Sequence, residues 1–173
     1  RAISILSKDG ERSIIVSGER LEPKGKDNLP WQKLKECDAL FVSATDKIGL
    51  KYCRECKVLV ATPRIGIDTI LQSEIKPNAL VGSAKDEYEN EIINSCNEIP
   101  LRIKTLGSRG CEVIPGGYFI SKKQVDKIID SYGCGDKFAA GITAGLGAQW
   151  DIERVINFAS ELGSNNNLQL GPY

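Results

Sequence analysis

"DSYGCGDKFAAG", Asp130–Gly141, sets glycines at 133, 135 and 141 and a cysteine at 134 around the carboxylate of Asp136. The segment "VDKIID" before and at its start reads as a strand, and "KFAAGITAGLGA" after it as a helix, giving strand, glycine turn, helix with the helix starting near Asp136. Gly133 and Gly135 allow backbone angles closed to other residues and let the main chain approach a ligand. The free N–H groups and positive dipole end of the helix face that turn, so an anion there is held by main-chain donors. Asp136 then has two readings: a helix N-cap, for which Asp is a favoured type, or a carboxylate that does chemistry on what the turn holds. The small residues from Ala139 to Ala148 suit a helix buried centrally against a sheet.

Working outward, strand-length apolar runs recur: "AISIL", "RSIIV", "DALFVS", "KVLVA", "NALVG", "RIKTL" and "CEVI". Several lack polar alternation, as strands buried on both faces do. Between them "DKIGLKYCREC", "IGIDTILQS" and "KDEYENEIINSCN" read as helices. In the last, Tyr88, Ile92, Ile93 and Cys96 form one apolar stripe. From Trp31 to about Leu106 helix and strand alternate, which predicts a mainly parallel sheet with helices on its faces. The first thirty residues differ, because "ISILSKDGERSIIV" reads as two strands around the turn Lys8–Glu11. "SGERLEPKGKDNLP" is a polar linker broken by Pro23, Gly25 and Pro30, read as a solvated loop before a docking surface. "PGG" at 115–117 turns between two short strands, and "DIERVINFASELG" is a last amphipathic helix.

With 173 residues, 41% hydrophobic and 27% charged, the chain suffices for one sizeable core. Its 23 basic and 23 acidic residues cancel, which argues against nucleic acid as the main partner. No apolar run approaches the roughly 20 residues that span a bilayer, and the chain reads as soluble and cytoplasmic. The six cysteines are expected as reduced thiols. There is no histidine, which removes histidine-activated nucleophiles and histidine-ligated metals from this chain. Cys53 and Cys56 lack a second ligand pair, so packing outweighs a metal or redox role. Cys134 sits where a helix dipole lowers a thiol pKa. No G-x-x-x-x-G-K-[ST] occurs, and Phe138 stands where a dinucleotide fingerprint needs its third glycine.

On these residues Asp130–Gly141 resembles the second signature of the ribokinase-like (PfkB) carbohydrate kinases, Asp-Thr-x-Gly-Ala-Gly-Asp-x-Phe. Asp130, Ser131, Gly133, Cys134, Gly135, Asp136 and Phe138 occupy its positions, with Ser for Thr and Cys for Ala as departures. The resemblance implies a three-layer α/β sandwich with a small β lid: residues 1–30 as lid strands and linker, 31–173 as nucleotide-binding and catalytic core. It implies ATP-dependent phosphorylation of a sugar hydroxyl, with Asp136 as base and the amides of Gly133, Cys134 and Gly135 as anion hole. "IKTLGSRGCEV" is similar to the family's nucleotide-side pattern, placing Thr105, Gly107, Ser108, Arg109 and Gly110 near ATP, with Arg109 as a phosphate contact; read alone, it is a hairpin turn. Where the family has Asn-x-x-Glu for magnesium and phosphate, Ser83 and Asp86 stand at that separation, and Ser83 reads equally as a helix N-cap. By the same resemblance the cofactors are ATP and Mg2+, with a monovalent cation optional, the partner is a small-molecule sugar, and lid strands pair into a homodimer. The family's amino-terminal signature has no counterpart here. A nucleoside, pyridoxal or hydroxymethylpyrimidine kinase, or a silent ligand-binding relative, are the alternatives.

Overall fold

The computed structural model describes residues 2–8, 12–18, 21–120, 128–168 and 171. Strands β1 (Ala2–Leu6) and β2 (Arg12–Val16) pair antiparallel, with Ile3 opposite Ile15. Their expected turn at 9–11 lies outside the described residues. A polar linker follows. It is tied to the body where Thr45 Oγ1 donates to the Pro23 carbonyl and the Gly25 N–H to Asp46 Oδ1, both at 2.9 Å.

The body alternates as the apolar runs predict. After a 3-10 helix at Trp31–Glu36 come β3 (Ala39–Val42), α1 (Lys47–Cys53), β4 (Val58–Ala61), α2 (Ile67–Ser73), β5 (Ala79–Ser83), α3 (Glu87–Ser95) and β6 (Leu101–Thr105). Then follow β7 (Cys111–Ile114), β8 (Gly117–Phe119), α4 (Cys134–Gly147) and α5 (Ile152–Asn166). The sheet has six strands in the order β3-β4-β5-β6-β7-β8. Its first four are mutually parallel and its last two antiparallel.

Unalternated apolar runs require cover on both faces, and both faces are covered. Leu59 and Ala61 of β4 and Leu80 of β5 pack with Leu50, Ile70, Ile92 and Ile93 of α1, α2 and α3. Val60, Ala79 and Val81, pointing the other way, pack with Phe138 and Ile142 of α4 and Val155 and Ile156 of α5. The result is the expected three-layer sandwich. Each large side chain buried this way stabilises by about 1.5–3 kcal/mol. The small residues of α4 let α5 come close: a Cβ on Gly141 would lie 2.7 Å from Ala159 Cα, and one on Gly145 2.9 Å from Val155 Cγ2.

Four elements depart from the sequence reading. The element at Trp31 is a 3-10 helix, with Trp31 stacked on Tyr52 at 5.3 Å between ring centroids. Helix α2 starts at Ile67, because Gly66 (φ 85°) interrupts the run from Ile65. In α3 the apolar stripe lacks Tyr88, which is exposed; Glu89 is buried in its place. Of the expected strand 125–130, residues 125–127 lie outside the described residues and 128–130 are irregular.

Candidate active site

The carboxyl ends of β4, β5 and β6 reach the same edge of the sheet and meet the start of α4 there. Crevices outside the carboxyl ends of parallel strands are where open α/β sheets bind ligands. Thr62, just past β4, Ser83 at the end of β5 and Thr105 at the end of β6 line one small cleft of about 50 Å³ with Arg64, Glu89, Gly135 and Asp136. A second cleft of about 280 Å³ adjoins it through Thr105 and Gly135 and extends past Gly107, Ser108 and Gly110 to Ser160 and Ser164 of α5.

The glycine turn is pinned from beneath. Asp130 is fully buried, and its carboxylate accepts the N–H of Tyr132 at 3.0 Å and of Gly171 at 2.9 Å. Gly133 adopts φ 82°, a left-handed angle that other residues reach only at a cost, and α4 starts at the next residue. The N-cap of α4 is Gly133 and contributes no side-chain hydrogen bond, while Asp136 is the third helical residue and caps nothing. The N–H of Cys134 closes on the Ser131 carbonyl at 3.2 Å and that of Lys137 on Gly133 at 2.8 Å. Between them the N–H groups of Gly135 and Asp136 have no acceptor among the described residues. A helix start spends its first donors on a cap, on water or on a ligand.

Asp136 is half-exposed, and among the described residues its nearest cation is Arg64 Nη1, 3.9 Å from Oδ1. Arg64 is held in turn by Glu89, whose Oε1 accepts from Nε at 2.8 Å and whose Oε2 accepts the N–H of Ser83 at 2.7 Å. The guanidinium is desolvated by its surroundings, but the bond and charge of Glu89, with Asp136 and Asp86 beyond, win and hold its pKa above the usual arginine value. Sequence reasoning missed both Arg64 and Glu89. The signal for Glu89 was present, because Asp86-x-x-Glu89 is the spacing of a helix N-cap and the acid three residues on. The N-cap of α3 is Asp86, its Oδ1 accepting the Glu89 N–H at 3.0 Å; Ser83 does not cap, and its Oγ accepts the N–H of Lys85. Ser83 therefore lines the cleft, while Asp86 holds the helix and is not among the lining residues.

The predicted nucleotide residues divide. Thr105, Gly107, Ser108 and Gly110 line the larger cleft, but Arg109 is exposed and outside its lining. The segment is also a hairpin connection, with the Leu106 N–H on the Gly110 carbonyl at 2.8 Å. Cys134 lines the larger cleft beside Asn167 Oδ1 at 3.2 Å and Asn166 Nδ2 at 3.6 Å. Burial, with Asp130 nearby, pushes its thiol up despite the Asn166 bond and Lys137, so the lowering expected from the helix dipole does not prevail. Among the described residues no three His, Cys, Asp or Glu side chains converge to hold a metal.

The family model described as "pfkB family carbohydrate kinase" matches residues 64–172. The chain belongs to the pfkB family. Its matched part contains Arg64, Glu89, the Thr105–Gly110 segment and the glycine turn of α4. Solved structures similar to this pfkB chain include ribokinase from Thermotoga maritima, at TM-score 0.75 and 18% identity over 99% of this chain and 64% of that one. A Burkholderia thailandensis nucleoside kinase in complex with inosine gives TM-score 0.69 and 17% identity over 99% and 62%. Arabidopsis thaliana ribokinase complexed with ribose and ATP gives 0.67 and 16% over 98% and 63%. These likenesses establish the ribokinase-like fold, and the chain spans under two thirds of each of these proteins. No curated protein sequence matches the chain.

Proposed function

We propose that the chain carries the nucleotide-binding and catalytic part of a kinase that moves the γ-phosphoryl group of ATP to a hydroxyl of a sugar or sugar-like acceptor. The observation that carries this reading is the start of α4, where an uncapped carboxylate, Asp136, stands beside two N–H groups without acceptors. Phosphoryl transfer is mostly positioning and charge stabilisation. The Gly135 and Asp136 N–H groups and the helix dipole stabilise negative charge on the transferring group. Asp136 accepts the proton of the attacking hydroxyl as the new O–P bond forms and ADP leaves.

The larger cleft, lined by Thr105, Gly107, Ser108 and Gly110, takes the nucleotide, and the small cleft takes the reacting end. Magnesium fits these residues as a hydrated ion held largely by phosphate oxygens, since Asp86 caps α3 and Glu89 is committed to Arg64 and Ser83. It would supply neutralisation of the phosphate charge, and Ser83 and Glu89 of the small cleft would hold it through water. The exposed apolar residues of β1 and β2, Ile3, Ile5, Ile14 and Ile15, suit pairing with a second copy. No helix among the described residues is long and apolar enough to cross a membrane.

A nucleoside acceptor is the second reading, carried by the likeness to the kinase solved with inosine. The test is ADP release from ATP and magnesium over a panel of sugars, sugar phosphates and nucleosides, with Asp136→Asn alongside. Turnover on one acceptor class that collapses in the variant is expected. Retained nucleotide binding with no Asp136-dependent turnover would instead identify a silent relative.

A further inference from the structure

The larger cleft contains a cation that the sequence motifs do not assign. Lys85, in the loop between β5 and α3, lines it together with Ser108, Ser131 and Gly135, and among the described residues no Asp or Glu does. Its ammonium has no carboxylate within ion-pair distance among the described residues. Arg64, by contrast, faces the small cleft and is already paired with Glu89.

The local backbone explains why Lys85 stands there. Its N–H donates to Ser83 Oγ at 3.1 Å, a side-chain turn that fixes the chain as it leaves β5. Its side chain then lies over the turn that follows β6. A Cβ built on Gly107 would come within 3.1 Å of Nζ and 3.2 Å of Cε, and Gly107 itself sits at φ 67°. A bare glycine there both makes the turn and leaves room for the ammonium. On the same cleft lies the start of α4, where the N–H of Gly135 has no acceptor among the described residues. A cleft lined, among the described residues, by a lysine, a helix start and no acid has the charge distribution that an oligophosphate requires.

We infer that Lys85, rather than Arg109, is the side-chain cation that binds the phosphates of the nucleotide. This rests on the kinase reading above and deepens it by dividing the cations: Lys85 serves the nucleotide, and Arg64 with Glu89 serves the reacting end. Lys85 is exposed, so its replacement leaves the core intact.

The test is calorimetric titration of ADP and of adenosine into the protein and into Lys85→Met, Lys85→Arg and Arg109→Met. Loss of a charge-assisted contact to phosphate weakens ADP by about tenfold or more. Adenosine, which has no phosphate, should change by less than about twofold in Lys85→Met, Lys85→Arg should recover part of the ADP affinity, and Arg109→Met should match the parent. Equal weakening of ADP and adenosine, unchanged ADP binding in Lys85→Met, or an ADP-specific loss in Arg109→Met instead, would overturn the assignment. If the parent protein binds ADP and the Lys85 variants are indifferent, the assignment alone fails. If the parent binds no adenine nucleotide, the kinase reading fails with it.

Discussion

Helices α3 and α4 both open onto the same cleft, and they open differently. The start of α3 is closed by side chains: Asp86 caps it, and Glu89 reaches back to the Ser83 N–H while holding Arg64. That of α4 is left open, with a left-handed glycine as its cap and an acid in its first turn that bonds no backbone group. Acids stabilise either position through the helix dipole. The difference teaches that the partners of the carboxylates, more than the residue type, separate an acid that supports the fold from one free to react.

The largest effect that sharpens this contrast is expected at Gly135. A Cβ there would meet no atom within 4 Å and would project into open space where the two clefts join. Gly135→Val should therefore leave the thermal midpoint nearly unchanged while its side chain crowds the N–H donors and lowers turnover by about 100-fold or more, a loss comparable to that of one preorganised donor. A fall in the midpoint with turnover intact would make the glycine structural and break the comparison.

Glu89→Gln should cost stability as well, measured by denaturant unfolding. Glu89 is only 4% exposed, and removing one partner of a buried pair is costly. Arg64 is half-exposed and regains water, so the loss should be nearer about 2 kcal/mol than the upper end for buried pairs. A change below about 0.5 kcal/mol would remove Glu89 from the structural side of the contrast.

The smallest effect concerns Cys134. Because burial raises its pKa, the thiolate needed for alkylation is scarce near neutral pH and becomes more abundant as pH rises. Its iodoacetamide rate in the folded protein should climb without a plateau through pH 9. Cys53 and Cys111, pushed up to about 11 by burial, should label only on unfolding. A plateau for Cys134 below pH 8 would restore the helix-dipole effect and give the open helix start a second reactive group.

Much of the fold was legible because its signals are local and redundant. The runs "VLVA" and "ALV" are apolar at successive positions, and the sheet buries both faces at Leu59, Val60, Leu80 and Val81. The glycine turn was legible for a similar reason: Gly133 is required by its backbone angle whatever surrounds it. What escaped depends on contacts between distant segments. Tyr88 looked like core by spacing, but the buried place went to Glu89 because Arg64, twenty-five residues earlier, supplies its charge partner. Arg109 was read as a phosphate contact from the resemblance, and its exposed position outside the larger cleft's lining was not legible, nor was the path of the loop after β5 that brings Lys85 across Gly107. The capping readings left open for Asp136 and Ser83 lie three positions from the true caps, Gly133 and Asp86, since both residues fit cap statistics and only backbone angles show which residue bends the chain.

The central claim is that Asp136 is free for chemistry because α4 does not need it. Asp136→Asn compared with the parent for both ATP-dependent turnover on the preferred acceptor and thermal midpoint tests this in one pair of assays. Turnover should fall by about 100- to 10,000-fold, the range for removing a general base, with the midpoint within about a degree or two. Turnover retained, or a large fall in the midpoint accompanying its loss, would contradict the claim and return Asp136 to the structural role that Asp86 has in α3.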